Sequence, residues 1–283
     1  MSASELWRRA LAHLAAFVAV AGKASRIQRR EGWFWQIGVV AALTTALPVV
    51  LNARALAGPD EAQAATFAAA AGTDNYLAFA TIGTVVMVWI ATTMQSVAIG
   101  LSSERHMGTL GIAWTSLTPR TLILAADAAG RALAQIAFAV VMFAAVWLLF
   151  RFELSLVPPA LVLVLVTAVT ASIAVGVLMA GFVMRYREAG ILFGTFTVAS
   201  GVFAGIAYPT TVLPEWAQAV GHALPLTWIA RGLRAALVFG DAPEAYLTAA
   251  VLLGMTLVLA AVGWWLFARF DRATRRRGLL EAF

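Results

Sequence analysis

The sequence predicts an all-α polytopic membrane protein: six transmembrane helices, an N-terminal interfacial helix, a short cytoplasmic amphipathic helix and an outer re-entrant helical hairpin between spans five and six. Three observations predict this. Of the 283 residues, 62% are hydrophobic and 12% charged, whereas a soluble domain averages about 45–50% apolar and about 25% charged. Six stretches reach or approach the roughly 20 apolar residues that a helix needs to cross the hydrocarbon core: 33–51, 76–101, 122–150, 157–184, 190–207 and 246–267. The basic residues gather in alternate connections between them, as bacterial membrane proteins arrange them.

With both termini on the cytoplasmic side of a bacterial inner membrane, fifteen of the 20 Lys and Arg fall in inside segments and four outside, with Arg131 within the third span. The chain then reads as one permease domain: a cytoplasmic interfacial segment 1–32, six spans over 33–268, and a basic cytoplasmic tail 269–283. The net charge of +6 implies no nucleic acid, because the charges lie in short segments between apolar runs. The absence of cysteine excludes disulfides and thiolate metal sites.

Arg8 and Arg9 followed by an apolar run imitate a signal peptide. The basic cluster at 23–30 stands where the cleavage site should be, so the segment reads as an uncleaved helix on the inner membrane surface, anchored by Trp33, Phe34 and Trp35. Gly22-Lys23 is not a phosphate-binding loop, since Phe17 and Ala24 occupy the positions that need Gly and Ser or Thr. The chain carries no such nucleotide-binding loop.

Between spans two and three, Ser102 or Ser103 can cap a short helix that Pro119 ends, with Arg105 and His106 near its start. After span five, the stretch 200–237 breaks at Pro209, Pro214 and Pro225 without becoming hydrophilic. Its arms are too short to span a bilayer. A broken hairpin at membrane depth must rest against protein or a water-filled cavity, because lipid cannot satisfy the freed backbone. Treating it as a seventh span would put the basic tail outside, so it stays a re-entrant or interfacial hairpin.

Together these two segments resemble the permease subunit of ATP-binding-cassette exporters of the drug and polysaccharide type, closest to the daunorubicin-resistance-like permeases. The first carries Glu104, Arg105, His106, Met107, Gly108, Thr109 and Leu110, similar to the family's inner-loop motif. The second carries Ser200-Gly201 with Pro209, then Leu213-Pro214-Glu215-Trp216, then Leu224-Pro225-Leu226-Thr227 before a helix from Arg231. The resemblance implies a coupling helix at 103–117, with Ser103, Glu104, Arg105, Gly108, Thr109 and Leu110 engaging a cytoplasmic ABC ATPase. It also implies a re-entrant hairpin marked by Pro209, Pro214, Trp216, Pro225, Leu226 and Thr227. ATP and magnesium would belong to the partner ATPase, with no cofactor, catalytic residue or metal in this chain. The second half of the pore would be another copy or a related permease. Gly111 departs from the pattern, which usually has a second acidic residue there; it motivates the idea of an asymmetric pair.

Polar residues within the spans are few. Asp127 and Arg131 are one helical turn apart and read as an internal ion pair. Thr81, Thr84, Thr92 and Gln95 share one face of span two, either a pathway lining or helix-packing contacts. Gly190 and Gly194, followed by Ser200 and Gly201, give span five a small-residue surface suited to packing within one subunit or between two. Thr84, Thr92, Gln95, Gly194, Ser200 and Gly201 are therefore the candidate pathway or interface residues. The route would carry an amphipathic drug, lipid or glycan. The alternative is an ion-gradient-driven secondary transporter, which this chain disfavours because Asp127 alone among acidic residues lies within a predicted span, beside Arg131.

Overall fold

The computed structural model describes residues 3–30, 40, 44, 48, 62–106, 118–185 and 189–276. Among them no strand occurs, and the helices are α1 (Ala3–Arg30), α2 (Ala62–Ala71), α3 (Tyr76–His106), α4 (Arg120–Phe150), α5 (Pro158–Arg185), α6 (Ala189–Phe203), α7 (Glu215–His222), α8 (Pro225–Arg234) and α9 (Ala242–Arg276). A 3-10 turn at Thr210–Val212 precedes α7, and a π-helical turn at Ala235–Phe239 follows α8.

Five helical stretches among the described residues are long and apolar enough to cross a membrane: Ala10–Gln28, Tyr76–Val97, Arg120–Phe150, Pro158–Phe182 and Ala242–Arg269. The last four match spans two, three, four and six of the sequence reading. The first predicted span, 33–51, lies outside the described residues except for Val40, Thr44 and Pro48, which are helical. The fifth is shorter than expected. α6 ends at Phe203 rather than 207, and its 15 residues rise roughly 22 Å, short of the ~30 Å hydrocarbon core.

α1 adds a candidate that the sequence reading placed on the membrane surface. Its residues divide into three faces. Trp7, Leu11, Leu14 and Val18 form an exposed apolar stripe. Ala21, Ala24 and Gln28 lie along the side that meets α4, where Ala24 is buried and Gln28 accepts a 3.4 Å hydrogen bond from Arg131. Glu5, Arg8, Lys23 and Arg30 occupy the remaining side. An exposed apolar stripe beside a charged one is the pattern of a helix lying in an interface, while its length and hydropathy also meet those of a span.

The core is built around α3, whose spanning part is 67% buried, against 28% for those of α4 and α9. Ile82, Val86, Trp89, Ile90 and Met94 of α3 meet Phe138 and Met142 of α4, Val164 and Val175 of α5, Leu226 and Ile229 of α8, and Leu252 of α9. α5 and α9 pack along one another. At one end of the bundle the α4–α5 connection holds the hairpin, with the Ser155 N–H donating to Leu237 O at 2.9 Å and the Val157 N–H to Ala236 O at 3.0 Å. At the opposite end α1 presses on α4.

That last contact depends on a missing side chain. A Cβ at Gly130 of α4 would lie 2.2 Å from the carbonyl oxygen of Ala21. Gly130→Val should therefore force α1 off α4 and cost about 1–3 kcal/mol, as overpacking does. A thermal unfolding scan in detergent should show a lower Tm. Gly194→Ala serves as control and should leave Tm unchanged or slightly higher, because nothing among the described residues lies within 4 Å of that position.

Candidate functional site

The hairpin follows the proline grammar of the sequence. Pro209 precedes the 3-10 turn, Pro214 is the residue before α7, and Pro225 opens α8 at a position where its missing N–H costs nothing. The first break comes earlier, however, at a glycine: Gly205 has φ +64°, the left-handed region that glycine enters without a steric penalty.

Several of the freed carbonyls find side-chain donors inside the protein. The Tyr208 hydroxyl donates to Val202 O. Gln218 Nε2 donates to Leu213 O at 2.8 Å, Thr227 Oγ1 to Gly221 O at 2.6 Å, and Trp228 Nε1 to His222 O at 2.8 Å. Pro209, Pro225, Leu226 and Thr227 are buried by this packing, whereas Pro214 and Trp216 are exposed. Trp216 stands edge-on to Phe203 at 5.9 Å.

The deepest donor is Arg234, at the end of α8 and only 6% exposed. Its Nε donates to Phe79 O at 3.1 Å, Nη1 to Gly205 O at 2.9 Å and Nη2 to Ile206 O at 2.6 Å. The guanidinium also lies over the Phe79 ring, 3.4 Å from its centroid. One side chain thus joins α3, the break after α6 and the end of α8. Three carbonyl hydrogen bonds favour the charged form of this buried group. Gly83 makes the seat possible, since a Cβ there would lie 2.0 Å from Ile206 O and 2.6 Å from Nη2. The sequence reading counted Arg234 among the outside charges. Its neighbour Arg231, one turn back, is exposed and pairs with Glu244 at 2.5 Å. The signal available in the sequence was an arginine on the apolar side of a short helix directly after a broken segment.

At the other end of α3 the expected coupling segment is only partly described. α3 continues unbroken through Ser103, Glu104 and Arg105 to His106, so Ser102 and Ser103 do not cap a new helix; nothing between 97 and 106 interrupts the ladder. Gly108, Thr109 and Leu110 lie outside the described residues, as does the stretch to 117. The Asp127–Arg131 pair forms as expected, Nε to Oδ2 at 2.8 Å. Arg131 also sits over Gly100 of α3, where a Cβ would meet its guanidinium at 2.2 Å. The pair therefore ties α1, α3 and α4 together near the end of α3.

The pathway candidates on α3 separate. Thr81 is buried, whereas Thr84 and Thr92 are half-buried and Gln95 is exposed. The Thr84 hydroxyl donates to Ala80 O at 2.8 Å and that of Thr92 to Val88 O at 2.7 Å, so both are satisfied within their own helix. Next to this face, Gly201 of α6 rests on Met87 of α3, its Cβ position 3.4 Å from the methyl. Ser200 is buried with Oγ unpartnered among the described residues. Gly194 faces open space, and Val198 nearby is 67% exposed. The small surface of α6 thus divides: Gly201 packs within the subunit and Gly194 does not.

A bundle of helices this long and apolar is that of a multi-pass membrane protein. The chain belongs to the ABC-2 type transporter family, whose model matches residues 28–238. It is the membrane permease component of an ABC transporter; such components are not catalytic themselves and associate with an ABC ATPase and in dimers. No curated protein matches the chain.

Replacing Arg234 by Leu would remove the donor of the Gly205 and Ile206 carbonyls, at a cost on the order of 1–3 kcal/mol for each buried acceptor, while Phe79 O keeps its place in the α3 ladder. Thermal unfolding of Arg234→Leu should show a large fall in Tm. Arg234→Lys should fall in between, because an ammonium keeps the charge but not the planar fork.

Proposed function

We propose that the chain is one permease subunit of an ATP-driven exporter, with six spans that include 33–51, and with both termini on the cytoplasmic side of a bacterial inner membrane. The family match over residues 28–238 is the observation that carries this reading. The hairpin lies on the outer side and the coupling segment 103–117 on the inner side. ATP and magnesium bind to a separate ATPase subunit, which the coupling segment engages through Glu104 and Arg105.

α3 is the element that would carry the stroke. It is one unbroken helix of 31 residues, roughly 46 Å long at 1.5 Å per residue. One end holds the Arg234 junction and the other leads into the coupling segment. Displacement of the coupling segment by the ATPase is transmitted along a rigid rod to the hairpin.

The partly exposed face of Thr84, Thr92 and Gln95, with Gly194 and Val198 exposed on α6, supports a second permease subunit closing the route on that side. It is a second copy or a related chain; the glycine at position 111 motivates the latter. The route suits an amphipathic drug, lipid or glycan, in keeping with the daunorubicin-resistance-like resemblance. The gradient-driven alternative is disfavoured by one further observation. The two carboxylates on the described candidate spans, Asp127 and Glu244, are both ion-paired, with Arg131 and Arg231.

Two measurements check this reading. Purification of the tagged chain from native membranes in mild detergent should bring down a stoichiometric soluble ATPase, captured by crosslinking through Arg105→Cys. If no ATPase comes down and transport survives ATP depletion, the gradient-driven reading takes over. In the reconstituted complex, Glu104→Lys should lower substrate-stimulated ATP hydrolysis about tenfold, equivalent to about 1.4 kcal/mol of coupling, with the amount of folded permease unchanged.

A further inference from the structure

The bundle carries a half-open cleft of about 200 Å³ at a distance from the α6 face. Val86 and Trp89 of α3 line it together with Ile136, Val140 and Phe143 of α4 and Leu165 of α5. Its wall is apolar throughout, so water finds no partners there, and a void of this size left empty is costly. At its mouth Val140 is 60% exposed, on a helix long and apolar enough to span. The medium outside the cleft is therefore hydrocarbon.

From the cleft one stripe of α4 runs on toward the hairpin end. Ile136, Val140, Phe143 and Trp147 recur at i, i+4, i+7 and i+11, a single helical face. From the first to the last the rise is roughly 16 Å, about the depth of one leaflet of a ~30 Å core. The stripe ends in groups suited to the membrane interface. Trp147 donates its indole N–H to Phe152 O at 3.2 Å, and the guanidinium of Arg151 stands 5.9 Å from the Trp147 ring centroid. Arg151 is exposed, with φ 51° ending α4. Its Nε donates to Leu148 O at 3.2 Å, which leaves the two Nη groups without a hydrogen-bond partner among the described residues. Glu153, two residues on, is also exposed.

We propose that this cleft is a phospholipid site: one acyl chain of a lipid in the leaflet at the hairpin end fills it, and the lipid phosphate sits at Arg151. The depth of the stripe matches one chain, the apolar wall matches hydrocarbon, and the cation stands where the headgroup of that leaflet lies. The bound lipid wedges between α4 and α5 beside the hairpin, against Leu233 and Leu237. This site is separate from the α3–α6 face and does not depend on what the transporter carries.

The test uses the full chain in phosphatidylethanolamine nanodiscs doped with a phosphatidylethanolamine bearing a mid-chain diazirine. After irradiation, peptide mass spectrometry should find label on Ile136, Val140 or Leu165 about tenfold above that on Leu257 and Val258 of α9, which are equally lipid-exposed surface residues at 65% and 63%. Val140→Trp should remove the excess by closing the mouth, and Leu165→Phe should do the same from the other wall. Both positions are exposed, so neither change threatens the fold. Arg151→Gln should lower labelling by the phospholipid but not by a diazirine diacylglycerol. Cleft labelling equal to that on α9, or unmoved by both blocking variants, would overturn the site. Equal labelling by both probes in the unaltered protein, unaffected by Arg151→Gln, would overturn the phosphate assignment.

Discussion

A helix broken within an apolar bundle exposes carbonyls that need donors from the protein itself, and the core of this structure is arranged around that constraint. The hairpin between α6 and α9 breaks at Gly205, before Pro209, at Pro214, at Pro225 and in the π turn after Arg234. The donors come from the hairpin itself, from the α4–α5 connection and, most deeply, from Arg234. That guanidinium takes three carbonyls from two separate parts of the chain and stacks on Phe79. Its planar fork of donors is what allows one side chain to do this.

The same side chain fixes where α3 meets the hairpin, and α3 is also the centre of the core. At its far end Arg131 sits on Gly100 while paired with Asp127 and bonded to Gln28. Two arginines on different helices thus hold the two ends of one rod, each over a glycine of α3 that leaves room for the guanidinium. The arrangement ties both ends of α3 into the bundle.

Much of this was legible in the sequence because local rules govern it. Proline positions gave the helix starts within the hairpin, apolar runs gave four spans nearly to their ends, and i, i+4 spacing gave the Asp127–Arg131 pair. The misses have physical causes. Gly205 breaks α6 through backbone freedom rather than a missing donor, so the proline count placed the break too late. Arg234 looked like another loop charge, since charge counting does not reveal which arginine faces a broken backbone; its three partners come from segments distant in sequence. Ser102 and Ser103 offered a cap that the helix does not use, because no breaker interrupts it there. α1 satisfies the length rule for a span and the face pattern of a surface helix together, and periodicity alone does not separate the two.

The central claim is that the broken hairpin and the coupling segment lie at opposite faces of the membrane, joined by α3. The chain has no cysteine, so single-cysteine variants give unambiguous labelling. Cysteines at Val212 in the hairpin and at Thr109 in the coupling segment should be treated in intact cells with a membrane-impermeant maleimide, before and after permeabilisation. The account predicts that position 212 reacts in intact cells and position 109 only after permeabilisation. Labelling of both positions under the same condition would place the two segments on one face and contradict the account.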